Sequence, residues 1–145
     1  MAIKIGVLGE KLTIQWLKSK SYRILYHSWH CRWGEIDIIA LDRSANTLVF
    51  VEVKTRSSGN WDSNGLEAIS VSKQSKIIRS ATLFLAKYPQ YAEFYMRFDV
   101  ALVKCQPPQK LEQLELIPHS PDCLVSEDGD RFRLIEYLEN AFDAE

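Results

Sequence analysis

Two apolar runs separated by a short polar segment set the tightest constraint on what this chain can become. Ile36 to Leu41 and Leu48 to Val53 are rich in β-branched and aromatic side chains, and Asp42-Arg43-Ser44-Ala45-Asn46 between them is turn chemistry. Together they specify a β-hairpin with strands over Glu35 to Asp42 and Thr47 to Arg56. Each run is interrupted by a carboxylate, and both fall far short of the roughly 18 residues of a membrane span, so a transmembrane chain is excluded and no membrane partner is expected.

The hairpin also carries the first chemical signal. A strand's period of two puts Glu52 and Lys54 on one face with Phe50, while Val49, Val51 and Val53, with Ile36 and Ile38, line the other. A two-residue loop at Ser44-Ala45 and a four-residue loop over Arg43 to Asn46 share one centre. Either sets Asp37 opposite Glu52 and Glu35 opposite Lys54; an odd-length loop sends the two acids to opposite faces. Carboxylates held about 5 Å apart across a ladder repel. A divalent cation between them satisfies both, and hard oxygen ligands suit Mg²⁺ or Mn²⁺, with Lys54 aiming its ammonium at the same place. The plain alternative is a solvated outer face with Lys54 in a surface ion pair. That face also holds Ile39, Leu41, Leu48 and Phe50, which disfavours full exposure.

With 145 residues, 46% of them hydrophobic, the chain can bury one core and form one domain. Ile5, Leu8, Leu12 and Trp16 recur at helical spacing and predict a helix from Ile5 to Leu17 that ends near Ser19 to Ser21. Tyr22 to Trp29 reads as a strand, and Ser57 to Gly65 as a loop. A second helix covers Ser72 to Lys87, with Lys73, Lys76, Ser80 and Lys87 on its polar face and Pro89 after its end. Tyr95 to Val103 reads as a fourth strand, Leu111 to Ile117 as a fifth, and Arg131 to Phe142 as a final helix with Phe132, Ile135, Leu138 and Phe142 on its apolar side. The order αβββαβ predicts an α/β domain with a mixed sheet flanked by helices.

Charge is distributed unevenly. The net formal charge is −1, yet Met1 to Lys110 carries +7 and Leu111 to Glu145 carries −8. A basic body is the footprint of a phosphate-binding surface, and the acidic end is either a solubilising extension or a competitor for that surface. Cys31, Cys105 and Cys123 are odd in number and contain no C-x-x-C pair, and no apolar leader precedes them. Free thiols in a cytoplasmic protein are the expectation.

Gly9-Glu10, Gly34-Glu35-Ile36-Asp37, Phe50-Val51-Glu52-Val53-Lys54-Thr55-Arg56, Lys73-Gln74 and Arg97-Phe98-Asp99-Val100, in that order, resemble the YraN-like proteins. These small bacterial proteins look like members of the PD-(D/E)XK nuclease superfamily and are similar to archaeal Holliday junction resolvases. The resemblance covers Ile5 to Val103 well and Ile135 to Phe142 weakly. It implies a restriction-endonuclease-like αβββαβ core over residues 1–105, with 106–145 as an acidic C-terminal extension whose strand and final helix pack on the same domain. It further implies Asp37 and Glu52 as metal ligands, Lys54 as the catalytic lysine, Glu10 as a helix-borne acid joining the metal shell, and Gln74, with Glu35, as accessory residues. The implied activity is Mg²⁺- or Mn²⁺-dependent hydrolysis of DNA, in line, leaving a 5′-phosphate, with branched DNA as substrate and a two-fold homodimer by analogy with resolvases.

Other residues have narrower readings. Lys73 and Lys76, with Lys87 and Arg79, are placed to track a phosphate backbone, and Arg56 to contact substrate phosphate. Trp29, Trp33 and Trp61 suit core or rim packing better than base stacking. His27, His30 and Cys31 lack a second ligand pair for zinc. Asp99 is expected to partner Arg97. Two other function classes stand beside the nuclease: a non-catalytic nucleic-acid-binding module that keeps the fold, and a protein-interaction domain whose acidic end covers its basic face.

Overall fold

A computed structural model describes residues 5–57, 69–108 and 120–143 of the chain. Helix α1 spans Ile5–Ser19 and is closed by Tyr22 N–H donating back to the Leu17 carbonyl at 3.0 Å, with Ser21 in the left-handed region at φ 69°. Strands β1 (Arg23–Cys31), β2 (Gly34–Asp42) and β3 (Thr47–Arg56) form an antiparallel meander. Helix α2 (Val71–Lys87) then crosses over to β4 (Tyr95–Gln106), which runs parallel to β3, and a short 3₁₀ turn at Pro89–Tyr91 intervenes. Strands β5 (Cys123–Val125) and β6 (Arg131–Phe142) complete a six-stranded mixed sheet of order β1-β2-β3-β4-β6-β5. With a helix on each face, this is the arrangement of a restriction-endonuclease-like core.

The alternating pattern of the strands builds two cores. On the α1 side, Leu12 and Leu17 pack on Ile38, Val49, Val51 and Val103. On the α2 side, Phe84 meets Trp29 and Phe50 edge-on at centroid distances of 5.3 and 6.0 Å, among Ile39, Leu48 and Phe98. Trp29 is therefore a core residue. Ile36 departs from the expected alternation by joining Ile39 on the α2 side, so β2 is irregular around Asp37. Ser80, expected on the polar face of α2, is buried, bonding the Lys76 carbonyl and receiving a bond from the Cys31 thiol.

The largest correction concerns Arg131 to Phe142, which is a strand and not a helix. Its apolar residues sit at helical spacing because the strand changes sides: Phe132 and Leu134 enter the α1-side core, whereas Leu138 and Phe142 enter the α2-side core. Register shifts between Phe98 and Val100 and between Leu102 and Val103, and a positive φ of 52° at Asn140, accommodate the switch. Ile135, which the helical reading placed on the apolar side, is exposed. The acidic extension thus contributes a strand hydrogen-bonded to β4. Leu111 to Ile117, Trp61 and most of the Ser57 to Gly65 loop lie outside the described residues.

Asp99 is completely buried and anchors that strand. It accepts from Arg97 Nε at 2.9 and 3.2 Å, from Tyr137 Oη at 2.6 Å and from the Asn140 N–H at 2.9 Å, while Arg97 Nη2 also donates to Tyr22 Oη at 2.6 Å. The expected Arg97 partnership is present, and it extends from β4 to the irregular part of β6.

Candidate functional site

The hairpin register runs from Asp42 opposite Thr47 to Ile38 opposite Val51, as the four-residue turn requires. Beyond Ile38 the two strands part. The Asp37 carboxylate takes the place of a main-chain carbonyl and accepts the Val53 N–H at 2.8 Å. This fork leaves both expected cross-strand pairs, Asp37 with Glu52 and Glu35 with Lys54, outside the ladder, while Asp37 and Glu52 stay close enough to interact electrostatically. Glu35 instead turns toward Asp37 and Glu10, and one carboxylate oxygen from each of the three lies within 4.8 Å of the other two.

Glu10 reaches the fork because α1 lies directly against β3. A Cβ built on the buried Gly9 would fall 1.9 Å from Thr55 Oγ1 and 3.1 Å from Thr55 Cβ, so only glycine lets the helix approach this far. Gly9→Ala is expected to destabilise the fold by about 1–3 kcal/mol, as overpacking does, with part of the loss recovered on adding Thr55→Ala. Chemical denaturation of the single and double variants measures both. Glu10 itself is steadied by His27 Nε2, 2.9 Å from Oε1, and by the Ser28 hydroxyl at 3.5 Å.

Glu52 points to the α2 side and is only 4% exposed. Its Oε1 meets Lys73 Nζ at 2.8 Å, while Oε2 is buried with no hydrogen-bond partner. Lys73 is held near by the N-cap of α2, where its N–H donates to Ser70 Oγ at 3.1 Å. Lys54, the next same-face residue on β3, lies close enough to Lys73 for their like charges to interact. The site opens into a cleft of about 350 Å³ lined by Trp33, Glu35, Asp37, Glu52, Lys73 and Lys76. Trp33 stands at this cleft between two guanidiniums, with Arg79 4.8 Å and Arg32 5.2 Å from its ring centroid.

The electrostatics follow from this crowding. Burial first, and the Glu52 charge second, push the Asp37 carboxyl up to about 7 despite the Val53 N–H. Glu10 is raised by burial and by Asp37, with His27 acting against the shift. Burial and then the Lys73 charge lower Lys54; burial opposes the Lys73 charge too, but Glu52 outweighs it and raises Lys73. Asp37 holds its proton in the fold where the unfolded chain has lost it, so its stabilising contribution is complete below 3.8 and is lost as the pH rises through about 7. Denaturant midpoints measured in EDTA should fall across this window, and Asp37→Asn should flatten most of that slope.

Two further sequence readings are redirected. Gln74 does not line the cleft; its Nε2 donates to the Ile69 carbonyl at 3.0 Å and fastens the entry to α2. Arg56 lies at the exposed end of β3. Lys73, read from sequence as one of several phosphate-tracking lysines, proves to be the direct partner of Glu52. The two are far apart in sequence, and only the crossover of α2 over the sheet brings them together.

The donor set suits a hard divalent cation. Three carboxylates, Glu10, Glu35 and Asp37, converge, Glu52 acts on Asp37 from across the fork and has one buried oxygen without a partner, and a positive charge would relieve the repulsion that adds to burial in raising Asp37. The chain also matches, over residues 9–103, the model of a family described as "Uncharacterised protein family UPF0102". It belongs to the UPF0102 family. UPF0102, the YraN-like family, is a PD-(D/E)XK-like nuclease family by its sequence pattern. The chain is 48% identical to the UPF0102 protein of Trichormus variabilis, over 97% of this chain and 95% of that one, and 42% identical to that of Acaryochloris marina, over 97% and 90%. It is 51% identical to the UPF0102 protein of Thermosynechococcus vestitus over 70% of this chain and 82% of that one. The UPF0102 match takes in Glu10, Glu35, Asp37, Glu52, Lys54 and Lys73 and stops before β5 and β6. Among the described residues, no helix is long and apolar enough to cross a membrane.

Proposed function

We propose that this UPF0102 protein is a metal-dependent DNA endonuclease that hydrolyses phosphodiester bonds, with branched DNA as the preferred substrate. The observation that carries the reading is the buried, unpartnered Glu52 Oε2 beside Asp37 at the fork of β2 and β3, with Lys54 next on the same face. Asp37 and Glu52, with Glu10 and Glu35, are the residues that would hold Mg²⁺ or Mn²⁺. Such an ion supplies Lewis-acid polarisation of the scissile phosphodiester and a water of lowered pKa.

The chain's own residues supply the remainder. Lys54, whose ammonium is partly desolvated, would orient the attacking water or stabilise charge developing on the phosphate. His27 and Ser28 keep the Glu10 carboxylate turned into the site. Lys76 on the cleft wall, with Arg79 and Arg32 stacked on Trp33, offers cations to the strand running through it. Arg56, at the exposed end of β3, extends that basic surface, and a two-fold homodimer would present two such clefts to a junction.

The deciding experiment is cleavage of labelled four-way junction, flap, single-stranded and linear duplex DNA in Mg²⁺, Mn²⁺ or EDTA. Cutting that requires the metal and favours the branched substrates is the expected result. Salt-sensitive binding without cutting in either metal would replace this reading with a nucleic-acid-binding module that keeps the nuclease fold.

A further inference from the structure

Lys73 is a lysine that the nuclease reading does not need, yet it makes the shortest ion pair among the described residues with a buried acid of the site. Its Nζ lies 2.8 Å from Glu52 Oε1, and its side chain is 42% exposed against 4% for Glu52. The two Glu52 oxygens thus have separate circumstances: one is saturated by an ammonium, and the other is buried with no hydrogen bond. A carboxylate with one oxygen clamped has its rotamer fixed, and its free oxygen then points in one direction. Here that oxygen belongs to the acid whose charge acts on Asp37 across the fork.

We propose that Lys73 is a positioning residue: it grips Glu52 by Oε1 so that Oε2 is presented to a divalent cation shared with Asp37. The inference rests on the metal-dependent reading and adds to it a residue from the opposite layer of the fold. Charge supports it. Glu10, Glu35, Asp37 and Glu52 against Lys54 and Lys73 leave two negative charges when all are ionised, and one divalent ion brings the cluster to neutrality with Lys73 still in place. The ammonium and the metal therefore complement each other. The anchoring is also built for it, because the Ser70 cap fixes the first turn of α2 from which Lys73 extends.

Ligating carboxylates are themselves held by hydrogen bonds, and loss of such an outer partner typically weakens metal binding by about 10–100-fold. Calorimetric titration of Mn²⁺ into the full chain, without DNA, tests this with K73M, K73R and E52Q. K73M is expected to bind Mn²⁺ at least about tenfold more weakly, and K73R, which keeps the clamp, to stay within a few-fold of the wild type. Unchanged affinity in K73M would make the contact a surface ion pair and overturn the proposal. Tighter binding would overturn it in the other direction, by showing that the ammonium competes with the metal. If K73M fails to fold, K73A, which also removes the clamp, is titrated under the same criteria. Loss of Mn²⁺ binding in E52Q with none in K73M leaves the metal-dependent reading standing and removes only the role of Lys73; a wild-type chain that takes up no Mn²⁺ removes both.

Discussion

Glu52→Gln is expected to lower metal-dependent cleavage about a thousandfold or more while the thermal transition of the metal-free protein stays or rises. The substitution keeps the side chain's volume and one acceptor for Lys73, so packing around the fork is preserved. What disappears is the negative charge on an oxygen that is buried without a partner. Removing a single electrostatic group from a preorganised site costs on the order of 10²–10³ in rate, and groups that act as a unit cost more. In the metal-free state the same change removes the second largest cause of the raised Asp37 carboxyl, so the fold near neutral pH gains rather than loses. A cleavage assay beside a melting curve separates the two effects: equal cleavage by the variant would take Glu52 out of the site, whereas loss of cleavage with a large drop in melting temperature would mark it as structural.

Asp99→Ala is expected to be the most damaging single change to the fold. Asp99 is fully buried, and its truncation leaves Arg97, Tyr137 and the Asn140 N–H without their acceptor. Breaking a buried ion pair from one side costs about 3–5 kcal/mol, and the Arg97 guanidinium, only 15% exposed, would keep just the Tyr22 hydroxyl and longer contacts of 3.9 Å to Asp42 and Glu139. For a chain of this size that corresponds to a fall of roughly 10–15 °C in melting temperature. The same truncation loosens the irregular segment of β6 where it lies on β4, and hydrogen exchange should show that strand opening first. A melting temperature within 3 °C or so of the wild type would contradict this account of what ties the C-terminal strand to the sheet.

The hairpin was legible because a short polar turn and a period of two leave little freedom: once the turn is centred between Ser44 and Ala45, the opposition of Ile38 to Val51 follows. Helix α2 was legible from its periodicity and from the proline that follows it. The final strand was not. Phe132, Leu138 and Phe142 face two different cores, and a strand that switches faces imitates helical spacing when only the list of apolar positions is read. The sheet partner that decides the matter, β4, is remote in sequence. At the site, the face of β3 that carries Glu52 could be read from strand geometry alone, because Phe50 lies on the α2 side and Val49 and Val51 on the other. The roles of Glu35, Lys73 and Gln74 could not, because they depend on where β2 leaves its ladder and on how the start of α2 lies over the sheet. The Glu10–His27 contact likewise comes from packing α1 within a glycine's clearance of Thr55, which no local pattern encodes.

The bond from Val53 N–H to the Asp37 carboxylate carries a wider consequence. A main-chain donor in a buried sheet must be answered by something, and here it is answered by a side chain that the proposed function also assigns to the metal site. On the proposed reading, shape and reactivity are encoded in a single functional group: the carboxyl whose Oδ2 takes the Val53 N–H where the two strands part is also the one that would be offered to a cation. An amide in its place would still answer the donor and keep the gap, but would be mute as a charge; a methyl would do neither, and would leave an orphaned amide in the sheet. Comparing those two replacements therefore tells architecture from reactivity at one position.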